Sequence, residues 1–99
     1  MAVAFDEVVT RIGDAVRQVE ADGSASPVLV AVVREFQAKL AKAESLAGDG
    51  EPGHDSVVEL EQAGDSAKAA AEADPGLSSD ARASVLAAHL AICKLKAGA

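Results

Sequence analysis

Ninety-nine residues carrying a net charge of −7 leave room for one hydrophobic core and argue against nucleic acid, whose phosphates an acidic chain repels. Two Phe with no Trp or Tyr supply strand packing poorly, and the one cysteine has no internal disulfide partner. The longest unbroken apolar run, Val28 to Val33, is far short of the roughly 20 residues that span a bilayer, so no membrane partner is expected.

Met1 to Asp6 shows no basic segment ahead of a hydrophobic one, so no secretory signal is expected and the address read from the sequence is cytoplasmic. A first helix is predicted from Val3 to Ala21. Phe5, Val8, Val9, Ile12, Ala15, Val16 and Val19 recur at steps of three and four, which puts them on one helical face. Glu7 and Arg11 form a favourable i,i+4 pair off that face. Gly13 borders the stripe and is expected to let a neighbouring backbone come close, because a helical glycine otherwise costs about 0.5–1 kcal/mol relative to alanine. Asp22-Gly23 stops the helix, with Gly23 expected as a left-handed cap. The short turn Gly23-Ser24-Ala25 then makes the first two helices an antiparallel hairpin.

Ser26 and Pro27 open the second helix, Ser26 as the cap and Pro27 at the first position, where an amide is unpaired anyway. Leu29, Val32, Val33, Phe36, Leu40, Ala43 and Ala47 form its stripe, and the helix ends at Gly48. Val28, Val30 and Ala31 lie off the stripe, so the first two turns are apolar nearly all round. Val28 and Val30 diverge by about 160° at 100° per residue, more than one interface covers, which marks them as candidates for contact with a second copy.

Residues 48–54, with three glycines and a proline in Gly48-Asp49-Gly50-Glu51-Pro52-Gly53, read as a linker. A third helix is predicted to begin near Asp55 or Ser56, with Ser56 and Glu59 as a capping box, and to run to Ala73. After Val57, Val58 and Leu60 its inward positions are small: Ala63, Gly64, Ala67, Ala70 and Ala71. Asp74-Pro75-Gly76 ends it. Ser78 or Ser79 caps a fourth helix running to about Ala97, with Leu77 as a hydrophobic staple. One flank carries Ala81, Val85, Ala88, Ile92 and Leu95, and another carries Leu86, Leu90, Cys93 and Ala97. Between them Arg82, His89 and Lys96 recur every seven residues as a narrow basic stripe. Unpaired cations are expensive to bury, so the stripe is expected either to pair with acids of the third helix or to floor a groove for an acidic partner segment.

Short matches between the halves (Asp6 and Asp55, Gly13 and Gly64, Glu20 and Glu72, Val28 and Val85) suggest a repeated hairpin, but their offsets drift and no fixed period emerges. The expected fold is all-α: a single domain over residues 1–99, an antiparallel up-down four-helix bundle of two hairpins, 1–48 and 55–97, joined by the Gly/Pro linker. Residues 49–76 hold eight acids against one base, which equals the whole net charge of −7. That segment is either a solvated face or a docking surface for a basic partner.

Catalytic chemistry is sparsely supplied. His89 and Cys93 lie one turn apart, but a zinc site wants four ligands, or three and a water, and the only other histidine is His54. No catalytic residue, metal ligand or cofactor is therefore expected. Gly53-His54-Asp55-Ser56-Val57 with Glu59-Leu60 resembles the Gly-x-Asp-Ser-Leu turn of acyl carrier proteins, small acidic helical proteins whose serine takes phosphopantetheine at a helix N-terminus. That resemblance implies a carrier modified on Ser56. It stops at Leu60, and two long helices ahead of the serine depart from the family's pattern. The reading that uses most of the chain is a non-enzymatic protein–protein interaction or structural module whose partner is another protein or a second copy of itself. A carrier modified on Ser56 and a small-molecule-binding bundle are the alternatives. The candidate partner-binding residues are Arg82, His89, Lys96, Val28 and Val30.

Overall fold

The computed structural model describes residues 3–98 as four helices: α1 (Val3–Ala21), α2 (Pro27–Ala47), α3 (His54–Glu72) and α4 (Ser79–Gly98). Each helix packs on two neighbours in the order α1, α2, α3, α4 and back to α1, so α1 faces α3, and α2 faces α4, across the diagonals. This is the up-down four-helix bundle that the four apolar stripes predict. The most closely packed pairs are α1 with α4 and α2 with α3, one helix from each hairpin.

The stripes converge on one core. Phe36, Ile12, Leu29, Leu60, Ile92, Val8, Val19, Val33 and Val85 are fully buried, and every residue of the flank Ala81, Val85, Ala88, Ile92 and Leu95 is buried as well. Phe36 lies where α3 is thinnest. A Cβ built on Gly64 would sit 3.4 Å from the Phe36 ring and 3.5 Å from the His89 ring. The close approach expected at Gly13 therefore belongs to Gly64, since a Cβ at Gly13 would meet only the Arg17 side chain.

Two helix ends differ from expectation. Gly23 is not left-handed; the only positive φ among the described residues is 58°, at Gly48 after α2. The side chain of Asp22 closes the first turn instead, accepting the Ser24 amide at 2.9 Å. At α3 the capping box of Ser56 and Glu59 does not form. Gly53 is the N-cap and makes no side-chain cap bond, the helix starts at His54, and Ser56 is buried inside the first turn. Glu59 reaches sideways instead, to Lys39 and Lys42 of α2 at 3.3 and 3.2 Å. Ser26 and Ser78 cap as expected, accepting the Leu29 and Ala81 amides, each at 3.1 Å.

The halves do share a fixed offset, and it shows in the turns. Asp22 and Asp74 each accept the amide two residues on, those of Ser24 and Gly76. Each also reaches across to the other hairpin. Asp74 Oδ2 accepts the Ser26 amide at 2.8 Å, and Asp22 Oδ2 accepts the Ser78 amide at 2.8 Å. Every member of one set has its counterpart 52 positions further on: Asp22 with Asp74, Ser26 with Ser78, Leu29 with Ala81. The core follows the same offset, as Val8 with Leu60, Ala15 with Ala67, Val33 with Val85 and Leu40 with Ile92. Two hairpins thus pack about an approximate two-fold axis, each capping the second helix of the other.

Candidate functional site

The basic stripe of α4 lies against α3, and each of its members is engaged there. Lys96 Nζ donates to Glu61 Oε1 and Oε2 at 2.8 and 3.0 Å, which raises the Lys96 pKa above its ordinary value. His89 Nε2 lies 2.7 Å from Asp65 Oδ1. An ionised carboxylate only accepts, so Nε2 carries the proton. Arg82 takes carbonyls rather than a carboxylate: its Nε donates to Ala71 O at 3.3 Å and its guanidinium to Asp74 O at 2.8 Å. Those carbonyls belong to the last turn of α3 and the turn after it, where each also accepts an amide three residues on, from Asp74 and Leu77, and a cation suits the helix dipole. The stripe is thus a seam that fastens α4 to α3 along its length.

Val28 and Val30, also marked in the sequence, part company. Val28 is 67 % exposed, whereas Val30 is half-buried against the core. Leu46 and Leu90 are the other large apolar side chains at the surface. Val28 and Leu46 lie at opposite ends of α2, with Glu35, Lys39 and Lys42 between, so they form no continuous patch.

Cys93 is half-buried, with Sγ 4.0 Å from His89 Nδ1 and 3.9 Å from Nε2. Near-equal distances place the sulfur in line with neither nitrogen, and Nε2 is already turned to Asp65. The pair therefore lacks the direct thiol-to-imidazole line that an activated nucleophile needs. Ser56, the residue of the carrier resemblance, is 9 % exposed and lies within α3 rather than at its cap. A bulky modification there requires its hydroxyl to come out of the helix packing. No cluster of three or more metal-ligating side chains occurs among the described residues, and no described helix is long and apolar enough to cross a membrane.

A concavity lies at the end of the bundle away from the paired aspartates, where α1 starts and α2 runs into the linker. Phe5, Asp6, Val9, Glu44, Gly48, Asp49 and Gly50 line a hollow of about 410 Å³. Polar atoms make up the larger share of its lining, and the apolar share comes from Val9, half-buried, and the exposed edge of the otherwise buried Phe5. Its rim carries the carboxylates of Asp6, Glu44 and Asp49, which join no ion pair among the described residues. The last turn of α2 contains no basic side chain to balance them. Of the acids on α3 itself, Glu59, Glu61 and Glu72 pair with lysines of α2, α4 and α3, and Asp65 meets His89 of α4. The sequence placed the excess charge in the linker and third helix; pairing neutralises much of α3 and leaves the linker end exposed. Periodicity gave no sign of this site, because Asp6 and Glu44 meet only through the packing of α1 on α2.

Comparison with known proteins finds no match: no family model, no curated protein and no solved structure resembles this chain.

Proposed function

We propose that the protein is a non-enzymatic interaction module that holds a basic segment of a protein partner at the linker end of the bundle. The observation that carries this reading is the hollow between α1 and α2, where Phe5 and Val9 stand beside three carboxylates that join no ion pair among the described residues. A Lys or Arg side chain fits such a site twice over, laying its aliphatic stem on Phe5 and Val9 and its charge among Asp6, Glu44 and Asp49. The arrangement of Cys93 and His89 supports binding rather than chemistry. Engagement of Arg82, His89 and Lys96 by α3 supports a structural role for the basic stripe.

The test is capture of partners from the native host by wild type and by the triple variant Asp6→Asn, Glu44→Gln, Asp49→Asn. Wild type is expected to retain a basic protein at low salt and lose it as salt rises, because exposed charges are screened within about 8 Å at physiological ionic strength. The triple variant is expected to fold normally and capture nothing. Recovery of the same protein with both chains removes the hollow as the site.

A further inference from the structure

Each hairpin is finished by the other. Without the second hairpin the Ser26 amide at the head of α2 loses its acceptor, Asp74, and without the first the Ser78 amide at the head of α4 loses Asp22. The turns also abut directly, since a Cβ on Gly76 would lie 3.1 Å from the Ser24 carbonyl oxygen. The tightest helix pairs join the two hairpins rather than the helices within one. Covalently, only the linker between Ala47 and His54 connects them. Its backbone bonds stay local, with Gly48 and Gly50 donating to Glu44 and Ala47, and Gly53 accepting from Val57.

The halves are complementary rather than interchangeable. Phe36 packs on Gly64, and their counterparts 52 positions away reverse the sizes, Ala88 for Phe36 and Ile12 for Gly64. Two first hairpins would set Phe36 against Ile12 and overfill the core; two second hairpins would set Ala88 against Gly64 and leave a void. A first hairpin therefore fits only a second hairpin, its own or that of another copy.

We infer that the partner this interface accepts, besides the chain's own other half, is a second copy of the same chain, which exchanges hairpins through the linker to give a two-fold dimer. Exchange preserves every contact between the hairpins, the two crossing bonds of Asp22 and Asp74 included. Only the path of the linker changes. The balance between closed monomer and exchanged dimer then follows protein concentration and the effective concentration that the linker imposes.

Complementation between full-length chains tests this. Phe36→Asp ruins the first hairpin's packing surface, and Leu60→Asp ruins the second's. Each variant alone is expected to be unfolded; refolded together, they form a two-chain species with about half the helical signal of wild type, from one intact bundle. A mixture whose spectrum is the plain average of the separate variants overturns the inference, and so does either variant folding alone with its charge in place. Deleting Asp49–Pro52 gives an independent reading, because a linker too short to close favours exchange. The expected product is a dimer of native helix content by sedimentation. A native-like monomer, or loss of helix content, contradicts the inference.

Discussion

Asp22 and Asp74 each accept two backbone amides, one local and one from the other hairpin. The Ser78 and Ser24 amides hold the Asp22 carboxyl below the ordinary aspartate range. A folded-state pKa below the unfolded one stabilises the fold at pH above the unfolded value, and that contribution is lost as pH falls through the folded value. Melting temperature is therefore expected to fall on acidification more steeply in wild type than in Asp22→Asn, which has no carboxylate to protonate. Parallel acid limbs for the two proteins would show that the cap does not couple to folding. The Gly64 contact makes a second prediction at this scale. Phe36→Ala removes a fully buried ring and is expected to cost about 3–5 kcal/mol in denaturant unfolding. Gly64→Ala places its methyl at ordinary contact distance and relieves a helical glycine, so it is expected to stabilise by about 0.5–1 kcal/mol. Gly64→Leu overfills the same space and is expected to destabilise. If all three variants melt like wild type, Phe36 and Gly64 are not in contact.

Among the elements, α3 has the fewest large side chains, and polar links hold it on both sides. Glu59 joins it to α2, while Glu61, Asp65 and the end carbonyls join it to α4. The links are not equal. Lys96 is half-exposed and its pair with Glu61 is screened, so Lys96→Ala is expected to cost little. Arg82 holds two part-buried carbonyls that nothing else of α4 reaches, so Arg82→Ala is expected to cost about 1.5–3 kcal/mol, the range for hydrogen bonds to a charged group. Urea titration of the two variants checks the order, and equal losses would contradict it. The helices themselves were legible in the sequence because burial follows the 3.6-residue period and because Ser26 and Ser78 cap through local bonds. What local pattern could not supply was what faces what. Asp-Gly after α1 reads as a glycine cap, but the aspartate side chain closes that turn. Ser56 and Glu59 have the spacing of a capping box, yet two lysines of α2 stand within reach of Glu59 and take it. The repeat was hidden for a related reason. Sizes are exchanged at the offset, Ala88 for Phe36 and Gly64 for Ile12, so these counterparts share no identity along the chain. Of the four matches that suggested a repeat, Glu20-Ala21-Asp22 with Glu72-Ala73-Asp74 keeps the offset of 52, and it ends in the two aspartates that cross between hairpins.

For the whole molecule, charge is sorted by use. Arg82, His89 and Lys96 of α4 are engaged by α3, the cations of α2 pair with α1, α2 and α3, and Asp6, Glu44 and Asp49, which join no ion pair among the described residues, line one hollow where α1, α2 and the linker meet. The candidate residues legible in sequence, Arg82, His89 and Lys96, all reach α3 or the turn after it, while the hollow proposed as the binding surface arises from residues far apart in the chain. The most direct measurement sets these two regions against each other: partner capture and melting temperature for wild type, for the hollow variant Asp6→Asn, Glu44→Gln, Asp49→Asn, and for the stripe variant Arg82→Glu, Lys96→Glu. The hollow variant is expected to melt like wild type and lose the partner. The stripe variant is expected to melt lower and, at temperatures where it stays folded, to keep the partner. Loss of the partner by a stripe variant of unchanged melting temperature, with the hollow variant still binding, would contradict this account.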